Sequence, residues 1–175
     1  FNNGDLVGHN TDILGFRKAI NTLNYKIKDK KILILGAGGV VPSLIVALNK
    51  MEASEITISN RTSKKAEDLK IQFNKINTVS WGEVPDFDMI INATSLGLNN
   101  ETIDLNTSNI GDDKFFYDVI YNPNETNFLK LGKKLGNQIE NGKLMFIYQA
   151  FEAFRLWHGV EPNVSEKILK LLDHD

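Results

Sequence analysis

Apolar positions fall into short blocks with two periods along this chain. Ile13, Leu14, Phe16, Ile20 and Leu23 recur at helical spacing, and Asn10 or Thr11 stands ready as a cap, so 11–23 is predicted as an amphipathic entry helix. Lys31 to Leu35 is a short apolar run ending in Gly-Ala-Gly-Gly. Val40 to Met51 then continues as a largely buried helix with Pro42 in its first turn. Further strands are predicted at 55–59, weakly at 78–81, and at 88–93, 115–120 and 138–140, with helices over 63–73 and 125–135 between them. After Gly142 the pattern changes to two helices, 143–157 and 163–172, divided by Gly159 and Pro162.

Strands alternating with helices imply parallel pairing, because a parallel neighbour needs a crossover and a helix supplies it. The expected fold is therefore α/β: a doubly wound, Rossmann-like, mostly parallel sheet flanked by helices, with two carboxyl-terminal helices. Composition leaves that picture standing. Hydrophobic residues make up 42% and charged residues 24% of 175, the usage of an ordinary globular domain. Twenty basic and 22 acidic side chains give a net charge of −2, which provides no electrostatic excess for holding nucleic acid or an anionic membrane. The longest uncharged stretch, 32–48, is broken by Gly36, Gly38, Gly39 and Pro42 and reads as strand, turn and helix, not as a membrane span. No cysteine is present, and three scattered histidines lack ligand spacing, so no metal site is expected and a reducing cytoplasm fits.

Four segments carry candidate chemistry. Gly36-Ala37-Gly38-Gly39 lies where a strand becomes a helix, and there glycine lets the backbone approach a pyrophosphate whose charge meets the helix N-terminus. The strand–turn–helix context favours dinucleotide binding over a plain structural turn. Asn60-Arg61-Thr62 ends the second strand, where an NAD site ordinarily holds a ribose hydroxyl with a carboxylate. Asn60 carries no charge, whereas Arg61 offers a fork to a 2′-phosphate and Lys64 or Lys65 adds a point charge, so NADP is the expected cofactor. The competing reading is a solvated helix start capped by Thr62 or Ser63. Asn92 to Leu98 closes the fourth strand, and the hydroxyls of Thr94 and Ser95 suit a cofactor's ribose and phosphates. Asp12, taken by itself, is an acid in a helix first turn, favoured there by the helix dipole. Gln149 is equally a polar residue on a half-buried helix.

In order along the chain, Gly8 to Asp12, Gly36 to Gly39, Asn60-Arg61-Thr62, Asn92 to Gly97, Asp118 to Pro123 with Thr126, Asn141-Gly142 with Met145, and Gln149-Ala150 with Phe154 resemble the shikimate dehydrogenases. The resemblance implies NADPH-dependent, reversible reduction of 3-dehydroshikimate to shikimate in aromatic amino-acid biosynthesis. It makes Asp12 a substrate-binding aspartate and half of a Lys/Asp acid–base pair. Tyr121 and Gln149 then contact the substrate, and Gly142 and Met145 lie beside the nicotinamide. The expected partner is a small-molecule substrate, neither nucleic acid nor membrane, and a homodimer is left open.

Ile13 replaces the family's glycine after Asn-Thr-Asp, and the family's Asn-x-Thr-x-Pro-x-Lys stretch does not occur among these residues. The chain is therefore expected to be the carboxyl-terminal, cofactor-binding part of a two-domain enzyme, with the amino-terminal substrate-binding domain absent. Its expected divisions are an entry segment and linking helix over 1–24, an NADP-binding domain over 25–142, and carboxyl-terminal helices over 143–175. The alternatives are the NAD-using quinate/shikimate dehydrogenase branch and an NADP-binding module without chemistry.

Overall fold

The computed structural model describes residues 4–108 and 110–170. Six strands, β1 (Lys31–Leu35), β2 (Glu55–Ser59), β3 (Asn77–Val79), β4 (Met89–Asn92), β5 (Phe115–Asp118) and β6 (Gln138–Glu140), form one sheet in the order β3-β2-β1-β4-β5-β6, every pair parallel. The helices are α1 (Thr11–Thr22), α2 (Val41–Lys50), α3 (Ser63–Gln72), α4 (Asn127–Lys134), α5 (Lys143–His158) and α6 (Glu166–Lys170). The doubly wound expectation holds. The forecast helix over 163–172 starts later, at Glu166, and its last two positions lie outside the described residues.

Because side chains alternate across a strand, β1 divides its apolar run between two cores. Ile32 and Ile34 join Ile56, Ile58, Met89, Ile91, Phe115 and Tyr117 under α1, α2 and the start of α5. On the opposite face, Leu33 and Leu35 join Ile90, Phe116, Phe128 and Leu129, with Ile103 and Leu105 from the long connection after β4. Strands buried on both faces explain why these runs are continuously apolar instead of alternating.

Three strands end sooner than expected: the weak one at 78–81 stops at Val79, and the two strongly apolar runs that follow it stop one residue and two residues early. The run 88–93 stops at Asn92 because the Asn92 side chain accepts from the Thr94 amide at 3.1 Å. The run 115–120 stops at Asp118, whose carboxylate accepts from the Ile120 amide at 3.0 Å. A side chain that captures the amide two residues on turns the backbone out of the ladder. Asn92 and Asp118 are register partners, so the chain leaves both strands at the same level of the sheet.

Packing of α1 against α5 is exceptionally close at Gly15. A Cβ there would lie 2.8 Å from the Gln149 Cβ and from the Met145 carbonyl oxygen. Asn10 caps α1 by accepting from the Ile13 amide and donates to Ser43 Oγ at 2.9 Å, which ties the start of α1 to the first turn of α2.

Candidate functional site

The sheet order reverses between β1 and β4, and ligands bind open parallel sheets in the crevice outside the carboxyl ends at such a point. A cleft of about 440 Å³ lies there, lined by Val40, Ala93, Thr94, Leu98 and residues Val119 to Asn122. A smaller cavity of about 160 Å³ opens beside it between Asn60 and Arg61 on one side and Trp81, Thr94, Ser95 and Leu96 on the other.

The glycine loop divides by cause. Gly36 has φ +108°, and a Cβ on it would come within 2.8 Å of the Ala93 carbonyl oxygen, so the fold itself demands glycine there. Gly38 and Gly39 have no such reason. A Cβ on Gly39 would meet nothing within 4 Å, and one on Gly38 would reach only the Ala93 oxygen at 3.8 Å. Two glycines facing open ground at the N-terminus of α2 are what an approaching pyrophosphate requires, because it takes up the space that a Cβ would fill. These residues fit a dinucleotide.

Arg61 is exposed and makes no hydrogen bond or ion pair among the described residues, leaving its guanidinium available to an anion. Asn60 steadies the turn by donating to the Thr62 carbonyl at 2.8 Å. Thr62 precedes α3 without capping it through its side chain, so the cap reading fails at that residue. Lys65 is exposed on the first turn of α3 and does not line the small cavity. Trp81 escaped the sequence reading. An isolated tryptophan before a glycine, just past a strand's carboxyl end, was its signal, and here it lines the same cavity as Arg61.

The segment after β4 uses most of its polar groups on itself. Thr94 Oγ1 donates to Asn92 Oδ1 at 2.7 Å and accepts from the Leu96 amide, while Ser95 remains exposed. Asn92 Nδ2 donates to the Leu96 carbonyl and to Asp118 Oδ1 at 3.0 Å. Glu101 gathers the amides of Asn99 and Gly97, and its carboxyl is held at about 2 by those backbone bonds. Because the folded value lies below the unfolded 4.5, this bracing is complete above 4.5 and is lost as pH falls through about 2. In an NMR titration the Gly97 and Asn99 amide shifts should therefore move near pH 2; movement centred on 4.5 would show the carboxylate free of them.

On the other flank, Thr11 Oγ1 donates to Gln149 Oε1 at 3.4 Å, which brings the turn containing Asp12 against α5. Asp12 is half-buried and, among the described residues, has no hydrogen-bond or ion-pair partner. Tyr121 stacks on Phe146, ring centroids 4.5 Å apart, and lines the large cleft. Gly142 packs directly on the Val119 backbone, and its amide donates to the Ile120 carbonyl at 3.1 Å. Met145 is 4% exposed and belongs to the core beneath α1.

The site residues are thus brought together in three sets: Asn60, Arg61, Trp81, Thr94 and Ser95 around the small cavity, Thr94 and Tyr121 on the large cleft, and Gln149 with the Asp12 turn through Thr11. Among the described residues no cluster of acidic or histidine side chains could hold a metal ion.

A family model described as shikimate / quinate 5-dehydrogenase matches residues 17–118, and one for the shikimate 5′-dehydrogenase C-terminal domain matches 144–166. The chain belongs to the shikimate/quinate 5-dehydrogenase family. Over 169 residues it is 54% identical to the shikimate dehydrogenase (NADP(+)) of Pelagibacter ubique, covering 96% of this chain and 64% of that protein. It therefore spans just under two thirds of the length of that family member. In structure it is similar to the Thermus thermophilus shikimate 5-dehydrogenase solved in complex with NADP(H) and shikimate, at TM-score 0.82 and 30% identity over 94% of this chain and 63% of that one. The 5-ketofructose reductase of a Gluconobacter species is also similar, at TM-score 0.86 and 31% identity over 98% of this chain and 65% of that one.

Proposed function

We propose that this chain is the NADP-binding part of a shikimate dehydrogenase, which reduces 3-dehydroshikimate to shikimate reversibly with NADPH. The observation that carries the reading is the cavity at the end of β2, lined by Arg61 and Trp81, where Arg61 has no ion-pair partner among the described residues and none of the lining residues is a carboxylate that could take a ribose hydroxyl. Arg61 would hold the 2′-phosphate by its fork, with Lys65 adding charge from the next turn, and Asn60 and Thr62 would shape the loop. Trp81 would cover the adenine. Gly36, Ala37, Gly38 and Gly39 would bring the backbone to the pyrophosphate, and Thr94 and Ser95 would flank it.

The bound cofactor supplies or accepts the hydride. Asp12 would hold the reacting hydroxyl and exchange its proton in concert with a lysine from a substrate domain, and Tyr121 and Gln149 would orient the ring. Gly142 and Met145 would back the nicotinamide. This reading divides the chain into a linking segment over 1–24, an NADP-binding domain over 25–142 and carboxyl-terminal helices over 143–175. Sequence likeness to enzymes of biosynthesis and the lack of cysteine support a cytoplasmic setting. Among the described residues, no helix is long and apolar enough to cross a membrane.

Calorimetric titration of the purified chain tests the reading. NADP should bind and NAD should bind far more weakly. Arg61→Ala should cost NADP about 1.5–3 kcal/mol, the scale of a hydrogen bond to a charged group, and leave NAD unchanged. Equal affinity for the two cofactors would favour the NAD-using quinate branch and remove the role given to Arg61.

A further inference from the structure

The two walls of the large cleft leave the sheet from adjacent strands, and one buried carboxylate joins them. Asp118 is 0% exposed and accepts three hydrogen bonds: from Asn92 Nδ2 at 3.0 Å, from the Ile120 amide at 3.0 Å and from Thr126 Oγ1 at 2.6 Å. Each donor holds a different part of the site. Asn92 fixes the wall 93–98 through Thr94 and Leu96. The Ile120 amide begins the opposite wall, 119–122. Thr126 accepts from the Leu129 amide at the start of α4, and its methyl group lies 3.1 Å from where a Cβ on Gly97 would stand.

All three bonds are donated to Asp118, as they would be to an ionised carboxylate, and among the described residues no cation pairs with it. Burial pushes this carboxyl up from its ordinary value, and the three donors act against that push. A buried charge held only by neutral donors is costly to retain, and hydrophobic residues of similar size would often be no less stable. What the arrangement provides in return is position: Oδ1 is shared by both walls, so neither can shift without lengthening a bond to a charged group.

We propose that Asp118 is a positioning residue that sets the separation of the two walls of the cofactor cleft, acting through Asn92 and Thr126 without touching the ligand. This rests on the dinucleotide reading above for its effect on binding, though not for its effect on the walls.

The test uses the chain as it stands, with NADP titration and amide hydrogen exchange measured on the same variants. Asp118→Asn keeps shape and volume but presents an amide to Thr126, whose hydroxyl hydrogen then has no acceptor. It should speed exchange at Leu96 and Ile120 by about 10- to 100-fold, the range of one hydrogen bond to a charged group, and weaken NADP by a similar factor. Exchange at Ile34 and Ile58, in the middle of the sheet, should stay within about twofold of the parent chain's, the distinction between local opening and global unfolding. Thr126→Ser should behave as the parent does. Thr126→Val removes the donor to Asp118 together with the side-chain cap of α4, leaves the carboxylate in place, and keeps the proposal testable if Asp118→Asn does not fold; it should loosen Leu96 and Ile120 in the same way. Protection at those two amides unchanged in the variant that folds, or exchange raised evenly across the sheet, would overturn the proposal. If the parent chain takes no NADP, the functional reading fails, and the exchange pattern still decides whether Asp118 positions the walls.

Discussion

Gly142→Ala should lower the melting temperature by roughly 5–15 °C, because the methyl group has nowhere to go. A Cβ at this position would land on the Val119 carbonyl, with the Val119 Cα 3.1 Å away, and all of these are backbone atoms that cannot rotate aside. The strand exit and the start of α5 must separate, which also strains the bond from the Gly142 amide to the Ile120 carbonyl. Overpacking costs about 1–3 kcal/mol and a lost hydrogen bond about 0.5–1.5 kcal/mol, so about 2–4 kcal/mol in all. In a domain of this size each kcal/mol moves the midpoint by about 2–4 °C. Gly39→Ala is the control: its Cβ meets nothing, so the melting curve should hold while NADP binding falls. Thermal denaturation followed by circular dichroism separates the two, and an unshifted midpoint for Gly142→Ala would contradict the contact with Val119.

A protein that joins this chain to a substrate domain bearing the lysine motif should lose about 10²–10⁴-fold in kcat on Asp12→Asn, the usual worth of a positioned acid–base group. NADP affinity should change by less than about twofold, since Asp12 lies at the start of α1 and the cofactor loop follows β1. The substitution is nearly isosteric, and Asn10, not Asp12, caps the helix, so folding should survive. Steady-state rates of NADPH formation with saturating shikimate decide it. An unchanged kcat would return Asp12 to being an acid favoured by the helix dipole.

The central strands β1, β4 and β5 were legible because they are buried on both faces and so stand out as short apolar runs, whereas β3 and β6 at the sheet edges carry polar residues and gave a weaker signal. Strand ends were less legible: Asn92 and Asp118 each stop a run that hydrophobicity alone would carry on, and the stop depends on where a side chain points, which composition does not reveal. Gly36 looked like part of a ligand loop and proved necessary to the fold, whereas Gly38 and Gly39, alike on paper, face open ground. Trp81 and the network around Asp118 were missed for a common reason. Each site is assembled from residues distant in sequence: Trp81, Arg61 and Ser95 come to one cavity only past the carboxyl ends of β3, β2 and β4, and Asp118 meets Asn92 only through the β4–β5 register. Asp12 and Gln149 are given a role solely by resemblance, and the bond from Thr11 to Gln149 ties Asp12's immediate neighbour to α5.

Pairing of α1 with α5 has a consequence for how the chain is made. Thr11 and Gln149 stand 138 positions apart, and the nearest atoms to a Cβ on Gly15 all belong to Met145 and Gln149 of α5. At about 5–20 residues per second, a ribosome needs roughly 7–30 s to travel from one helix to the other. Through that interval Phe16 and Ile20 can settle on the growing sheet but lack the covering that Met145, with Leu144 and Tyr148 beside it, later provides. Loop closure over so long a separation is slow as well as late, so the nascent domain spends its synthesis with an apolar flank exposed, as a client for chaperones that bind such surfaces.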